Sequence, residues 1–267
     1  MKIGSLFSGI GGLELGLERA IPGAEVIWQV EQDEYARQVL AKHWPKARRY
    51  NDVREVGAHN LERVDVICGG FPCQDISIAG KQAGIKGERS GLWVHFARVI
   101  GELRPRYIVV ENVSALLHRG MGRVLGDLAA SGYDAVWDCI PAASVGAPHR
   151  RDRVFLVAYS HSGTIYAEQI QRRNSEGAAK PSRNGKKRHV AHSNRKGKSQ
   201  PQRPVLNIWE RAIDGSRAWT PEPKVGRVAH GVPRRMDQIR ALGNAVVPQV
   251  AEVVGRVIIE LEGASHE

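Results

Sequence analysis

The run Gly69-Gly70-Phe71-Pro72-Cys73-Gln74 follows the apolar, strand-like segment Val64–Cys68. A cysteine just past the carboxyl end of a strand, in a loop opened by paired glycines, is presented rather than buried. Such a thiol, which titrates at about 8.5 when free, becomes a nucleophile where its surroundings favour the thiolate. The competing reading of Cys73 is a small core residue. A second group lies near the amino terminus, where the strand-like Lys2–Leu6 runs into Phe7-Ser8-Gly9-Ile10-Gly11-Gly12 and then a helix. Glycines at such a turn let backbone N–H groups and a helix start approach a ligand closely. Glu31 ends the next strand about 20 residues on, where an acid can bind ribose hydroxyls. The pattern is not the strict G-x-G-x-x-G, because Gly16 falls too late. A purely steric use of the glycines therefore stands beside a nucleoside site.

These residues need a frame, and the first 158 residues supply an alternating one. Strands are predicted at Lys2–Leu6, Val26–Val30, Val64–Cys68, Tyr107–Val110, Ala135–Ile140 and Val154–Val157, with a short one near Arg48–Asn51. Helices are predicted at Gly12–Ala20, Glu34–His43, Leu92–Leu103 and Met121–Ser131. In the third, Leu92, Phe96, Val99 and Leu103 share one face. Such alternation implies an α/β, mostly parallel sheet covered on both faces. The last two strands have no helix between them and are placed to pair antiparallel. The final segment, Ala245–Leu261, has apolar residues at helical spacing, with Asn244 as its N-cap and Pro248 tolerated in the first turn.

Composition narrows the function classes. The 267 residues allow one catalytic domain and a small second region. No run approaches the roughly 20 apolar residues of a membrane span, and the amino terminus is too short an apolar run for a signal peptide. The three cysteines, odd in number and widely spaced, suit a reducing cytosol and give neither a disulfide framework nor a zinc spacing. The net charge of +11 is concentrated. Residues 161–203 hold eleven Lys or Arg and two acids, whereas the rest of the chain has 28 basic and 26 acidic residues. A near-neutral body with one basic insertion reads as a polyanion-binding device, or else as a solvated loop.

Several motifs then fall into one order: Phe7-Ser8-Gly9-Ile10-Gly11-Gly12, Pro72-Cys73-Gln74, Glu111-Asn112-Val113, Arg151-Asp152-Arg153 and Gly243-Asn244-Ala245-Val246. Their order and chemistry resemble the cytosine-5 DNA methyltransferase family of prokaryotic or phage type. The similarity covers residues 1–158 and roughly 220–260. It implies a Rossmann-like sheet of the kind that binds S-adenosylmethionine, with one antiparallel strand. It also divides the chain into a catalytic domain at 1–158, a short basic target-recognition region at 159–234, and a carboxyl-terminal helix at 235–267 that returns to the catalytic domain. By the same resemblance, Phe7, Gly9, Gly11 and Gly12 surround the methionine and adenosine portions of the cofactor. Glu31 holds the ribose and Gln32 lies beside the adenine. Asp52 and Val53 meet the adenine edge, Gly70, Pro72 and Leu92 complete the wall, and Asn244 and Ala245 close the pocket.

The implied chemistry needs these residue types. Cytosine C5 is a poor nucleophile until a thiolate adds at C6, which makes it enamine-like; Cys73 is the candidate for that attack. Glu111, at the same sheet edge, is expected to engage N3 and the exocyclic amine, which calls for an upward-shifted carboxyl pKa. Read alone, Glu111 is an ordinary strand-end acid. Arg151 or Arg153 is expected to brace the Glu111 loop and the cytosine O2, and each on its own reads equally as a phosphate contact. His149 stands where the family has glutamine. No side chain is assigned to remove the C5 proton. The target base must be flipped from its duplex; Gln74, Ser77, Arg89 and Ser90 are candidate backbone contacts. Double-stranded DNA is the expected partner, with no metal, no membrane, a monomeric enzyme, and action in the cytoplasm at the nucleoid. A transfer-RNA cytosine methyltransferase, a catalytically idle DNA-binding relative, and a nucleotide-dependent oxidoreductase remain alternatives. Core packing is the expected role of Trp209 and Trp219.

Overall fold

Strands β1 (Lys2–Leu6), β2 (Glu25–Val30) and β3 (Arg48–Tyr50) lie side by side and parallel. They are linked by helices α1 (Gly12–Ala20) and α2 (Glu34–His43), the latter capped by Asp33 accepting from the Ala36 amide at 2.9 Å. On the other side of β1 come β4 (Val66–Gly69) and β5 (Tyr107–Val113), also parallel, joined through α3 (Leu92–Leu103). The chain continues through α4 (Leu116–Arg119), α5 (Met121–Ala130) and the hairpin β6 (Tyr133–Pro141)–β7 (Asp152–Ser160). β7 runs antiparallel to both β5 and β6, so the sheet order is β3-β2-β1-β4-β5-β7-β6. Helices α6 (Arg235–Asn244) and α7 (Pro248–Gly263) end the chain. The computed structural model describes residues 1–72, 91–160, 208–209, 212–213 and 235–263. The candidate contacts Gln74, Ser77, Arg89 and Ser90, the basic residues of 161–203 and Trp219 lie outside the described residues.

Alternation along the strands sorts side chains into two cores. Val66, Cys68, Tyr107 and Val109 face α1 and α7, while Ile67, Ile108 and Val110 face α3 and α5. Trp209 is buried in the first core, as expected, and Ala212 accepts a hydrogen bond from Arg256 Nε of α7 at 2.7 Å. α7 packs on α1 through missing side chains. A Cβ on Gly16 would stand 2.3 Å from both Ala251 Cβ and the Pro248 carbonyl oxygen.

Of the boundaries that differ from the sequence-based expectation, three bear on the site. β5 continues through Val113, so Glu111 sits inside a strand opposite Phe155 rather than at its end. β7 begins at Asp152 and takes in Arg153. The last helix starts at Pro248, whose missing N–H costs nothing at a helix start; Asn244 ends α6 and does not cap α7. Residues 236–263 also prove long and apolar enough, by composition, to cross a membrane. The segment is broken before Pro248, however, and Val250, Val253, Val254, Val257 and Ile258 are core residues.

Candidate active site

The strand order reverses between β1 and β4, and a crevice at the carboxyl ends of the strands is where open sheets of this kind bind ligands. A cavity of about 540 Å³ opens there. Phe7, Gly9, Glu31, Gln32, Asp52, Val53, Gly70, Pro72, Leu92, Asn244 and Ala245 line it, together with Glu111 and Arg153. This volume is in the range of cofactor sites. Gly12 lines a smaller adjoining cavity, and Gly11 lines neither. Gly11 instead caps α1 in a left-handed conformation, with its Cα side against Trp44. Cys73 lies outside the described residues; the chain is followed to Pro72, at the wall of the cavity.

Glu31 ties the two glycine-side strands together. Its carboxylate accepts from the Gly9 amide at 2.7 Å and the Asp33 amide at 2.8 Å. Asp52 is held by Arg54, whose Nε donates to both carboxylate oxygens at 2.9 Å, and this keeps its pKa low. The rim is closed from α6: Arg240 lies 3.2 Å from Asp33 and from Asp237.

Glu111 is 9% exposed, and its pKa is pushed up to about 7 by burial, against the pull of Arg153 and, more weakly, Arg151. Arg153 Nε stands 3.2 Å from Glu111 Oε1. The other oxygen, Oε2, approaches the backbone so closely that a Cβ on Gly70 would be 2.6 Å from it. Asn112 donates from Nδ2 to the Phe71 carbonyl at 3.1 Å, which anchors the strand exit leading to Cys73. The two arginines part company. Arg151, held at φ 42°, donates to the Gly243 carbonyl at 2.8 Å and the Ala245 carbonyl at 2.6 Å and does not line the cavity. Placing β7's start at Asp152 turns Arg151 away from Glu111. Phe7, also left-handed at φ 56°, is the other strained residue of the site.

Sequence reasoning does not reach Ile10, Asp33, Asn51, Phe71, Val113, Asp237 or Arg240, which also line the cavity. Ile10, Asp33, Phe71 and Val113 are neighbours of expected site residues. Asp237 and Arg240 carry no local signal, since only the folding of α6 over the β2 edge brings them in. His149 is exposed and away from the cavity. Cys68, buried among core residues with its thiol pKa raised well above normal by burial, is no nucleophile candidate. Among the described residues no cluster of His, Cys, Asp and Glu has the makings of a metal site.

Comparison with known proteins agrees with this geometry. Type II methyltransferase M2.BsuMI of Bacillus subtilis is 35% identical over 202 residues, covering 73% of this chain and 50% of that protein. M.HhaI of Haemophilus parahaemolyticus is 30% identical over 164 residues, covering 60% of this chain and 49% of its own. The chain thus spans about half the length of these relatives. Among solved structures, a mutant form of Spodoptera frugiperda DNMT2 superposes with a TM-score of 0.59 at 17% identity, covering 100% of this chain and 99% of that one. That likeness is one of fold. The model of C-5 cytosine-specific DNA methylases matches residues 1–220, and the chain belongs to that family.

Proposed function

We propose that this protein is a sequence-specific DNA (cytosine-5-)-methyltransferase that uses S-adenosylmethionine. The observation that carries the reading is Glu111: a buried carboxyl with its pKa near neutrality, in the wall of a cofactor-sized cavity reached by the chain that leads to Cys73. At neutral pH such a group is protonated much of the time and can donate to N3 of a cytosine. Arg153 keeps it oriented through Oε1 and supplies positive charge beside the base. Cys73 forms the covalent bond to C6, which loads electron density onto C5. When bound, S-adenosylmethionine supplies an electrophilic methyl group, and the glycine turn, Glu31, Gln32 and Val53 are the residues to hold it. After C5 has taken the methyl group, a base removes the C5 proton, the C6–Sγ bond breaks and the Cys73 thiolate is restored. Arg151 is a positioning residue that fixes the Gly243–Ala245 chain.

Residues 159–234, with eleven basic side chains up to Arg203 and a net +9 there, would supply phosphate affinity and the choice of target sequence. The enzyme would act as a monomer on double-stranded DNA in the cytoplasm, at the nucleoid. Bisulfite sequencing of DNA from cells expressing the protein should reveal protected cytosines in one sequence context. Cys73→Ala should abolish that protection while leaving DNA binding within a few-fold of the parent. Absence of protected cytosines in any context would overturn the DNA reading, and unaltered turnover of Cys73→Ala would overturn the nucleophile assignment.

A further inference from the structure

The mechanism above leaves one buried acid unused. Glu14, at the third position of α1, is 0% exposed, and neither carboxylate oxygen has a hydrogen-bond partner within 3.5 Å among the described residues, although the Ser5 and Ser8 hydroxyls lie near enough to draw its pKa down. Leaving a buried carboxyl unsatisfied is costly, and native structures seldom do so without a reason. Below it, Gln29, Ser5 and Cys68 form a row across three strands, since Ser5 is in register with both of the others. Gln29 is likewise fully buried, with both amide atoms unpartnered among the described residues. The Ser8 hydroxyl donates to Ser5 Oγ at 2.9 Å. These groups form a polar floor beneath the glycine turn.

Glu14 faces a small cavity of about 50 Å³, whose lining also includes Ser5, Ser8, Gly9, Gly12 and Glu111. Phe7, Gly9, Gly70, Glu111 and Asn244 line this cavity and the main one alike, so the two adjoin. The small cavity has room for a few water-sized groups. No described basic side chain lines it. A buried carboxyl facing such a space, with no cation among the described lining residues, is suited to a cation that arrives with the ligand.

We propose that Glu14 is the counter-charge for the α-ammonium group of the cofactor's methionine moiety, which enters the small cavity and pairs with the carboxylate either directly or through one water. An ammonium has three donors and can satisfy both Glu14 oxygens and one further acceptor. The position near the amino end of α1 also favours the ionised carboxylate once the ammonium is present. Glu14 would then discriminate for an amino-acid-bearing adenosine cofactor over a bare nucleoside thioether. This inference rests on the reading of the main cavity as the S-adenosylmethionine site.

The test compares two ligands by calorimetry on the full chain: S-adenosylhomocysteine and its desamino analogue, which keeps the carboxylate and lacks only the ammonium. Glu14→Gln should weaken S-adenosylhomocysteine binding roughly 10- to 100-fold, the range for a charged hydrogen bond, and change binding of the desamino analogue less than twofold. In the unaltered protein, titrations in buffers of different ionisation enthalpy should show more proton release on binding S-adenosylhomocysteine than on binding the analogue. Glu31, just past β2 and near enough to raise the Glu14 pKa, and Glu111, which lines the same cavity, experience both ligands, so the difference reports Glu14. Equal losses for the two ligands in Glu14→Gln, or equal proton release in the parent, would overturn the assignment while leaving the cofactor site intact. Failure of the parent to bind either ligand would overturn the cofactor site and the Glu14 assignment together.

Discussion

Glu14→Gln should stabilise the cofactor-free protein, and do so in a pH-dependent way. Burial raises the Glu14 carboxyl from an ordinary 4.5 to about 7, with the nearby Ser5 and Ser8 hydroxyls opposing and Glu31 adding to the shift. The folded state therefore holds its proton more tightly than the unfolded state. The favourable contribution is complete below pH 4.5 and is lost as pH rises towards 7, where the native state must either ionise a buried group or keep a proton the unfolded chain has released. A shift of this size corresponds to about 3 kcal/mol. Glutamine has nearly the same volume and no charge, so it removes this dependence. Urea unfolding of both proteins between about pH 4.5 and 8, without cofactor, should show the stability difference moving by about 3 kcal/mol in favour of the variant. Glu111 titrates in both proteins and cancels. Parallel stability curves across that range would refute the claim that Glu14 is buried without a compensating charge.

Other perturbations follow from distances in the site. Gly70→Ala puts a methyl group only 2.6 Å from Glu111 Oε2. Displacing the acid should lower kcat by on the order of 100-fold, with S-adenosylhomocysteine affinity changed only a few-fold, as single-turnover kinetics and calorimetry would record. Gly16→Ala forces α1 and α7 apart against Ala251 and the Pro248 carbonyl. It should cost about 1–3 kcal/mol in chemical denaturation, and a neutral result would mean that the α1–α7 contact is looser than described. Arg151→Ala leaves the Gly243 and Ala245 carbonyls without their guanidinium donors. It should speed amide hydrogen exchange across 243–247 and weaken cofactor binding about tenfold, because two charged hydrogen bonds are lost.

Most of the frame was legible because it rests on local signals. Periodicity located α1, α2, α3 and β1 at their observed bounds, and the turn glycines marked the ligand edge. The pocket residues on those elements came with them. What the sequence did not reveal depends on long-range placement. Arg151 and Arg153 are two residues apart and look equivalent, yet the start of β7 and the left-handed turn at Arg151 send one to Glu111 and the other to the last segment of the chain. Arg240 reaches the Asp33 cap only once α6 has crossed the cavity mouth. Glu14 was hidden for a different reason. In the sequence it reads as an acid in the first turn of a helix, where acids are favoured, and only its burial above the polar row makes it unusual.

The chain's return to its beginning also constrains how the basic insertion can act. After β7 the described chain meets the core again at Ile208, Trp209 and Ala212, and then continues in α6, which ends at Asn244 on the cavity wall. Arg151, just before β7, holds Gly243 and Ala245, at the end of α6 and just beyond it, so the returning chain is fastened to the start of β7, whereas the chain departs from the other end of that strand, at Ser160. Movement of the returning chain on DNA binding would therefore reach the wall of the cofactor cavity at the segment that Arg151 holds. Gly12 adds to the same constraint, because the Val246 carbonyl oxygen occupies the place of its Cβ, 2.2 Å from where that atom would be. Coupling between DNA and cofactor should thus be weakened by Arg151→Ala even where each ligand still binds alone. The coupling is reciprocal, so the same loss must be measurable as the effect of DNA on S-adenosylhomocysteine affinity and as the effect of S-adenosylhomocysteine on DNA affinity.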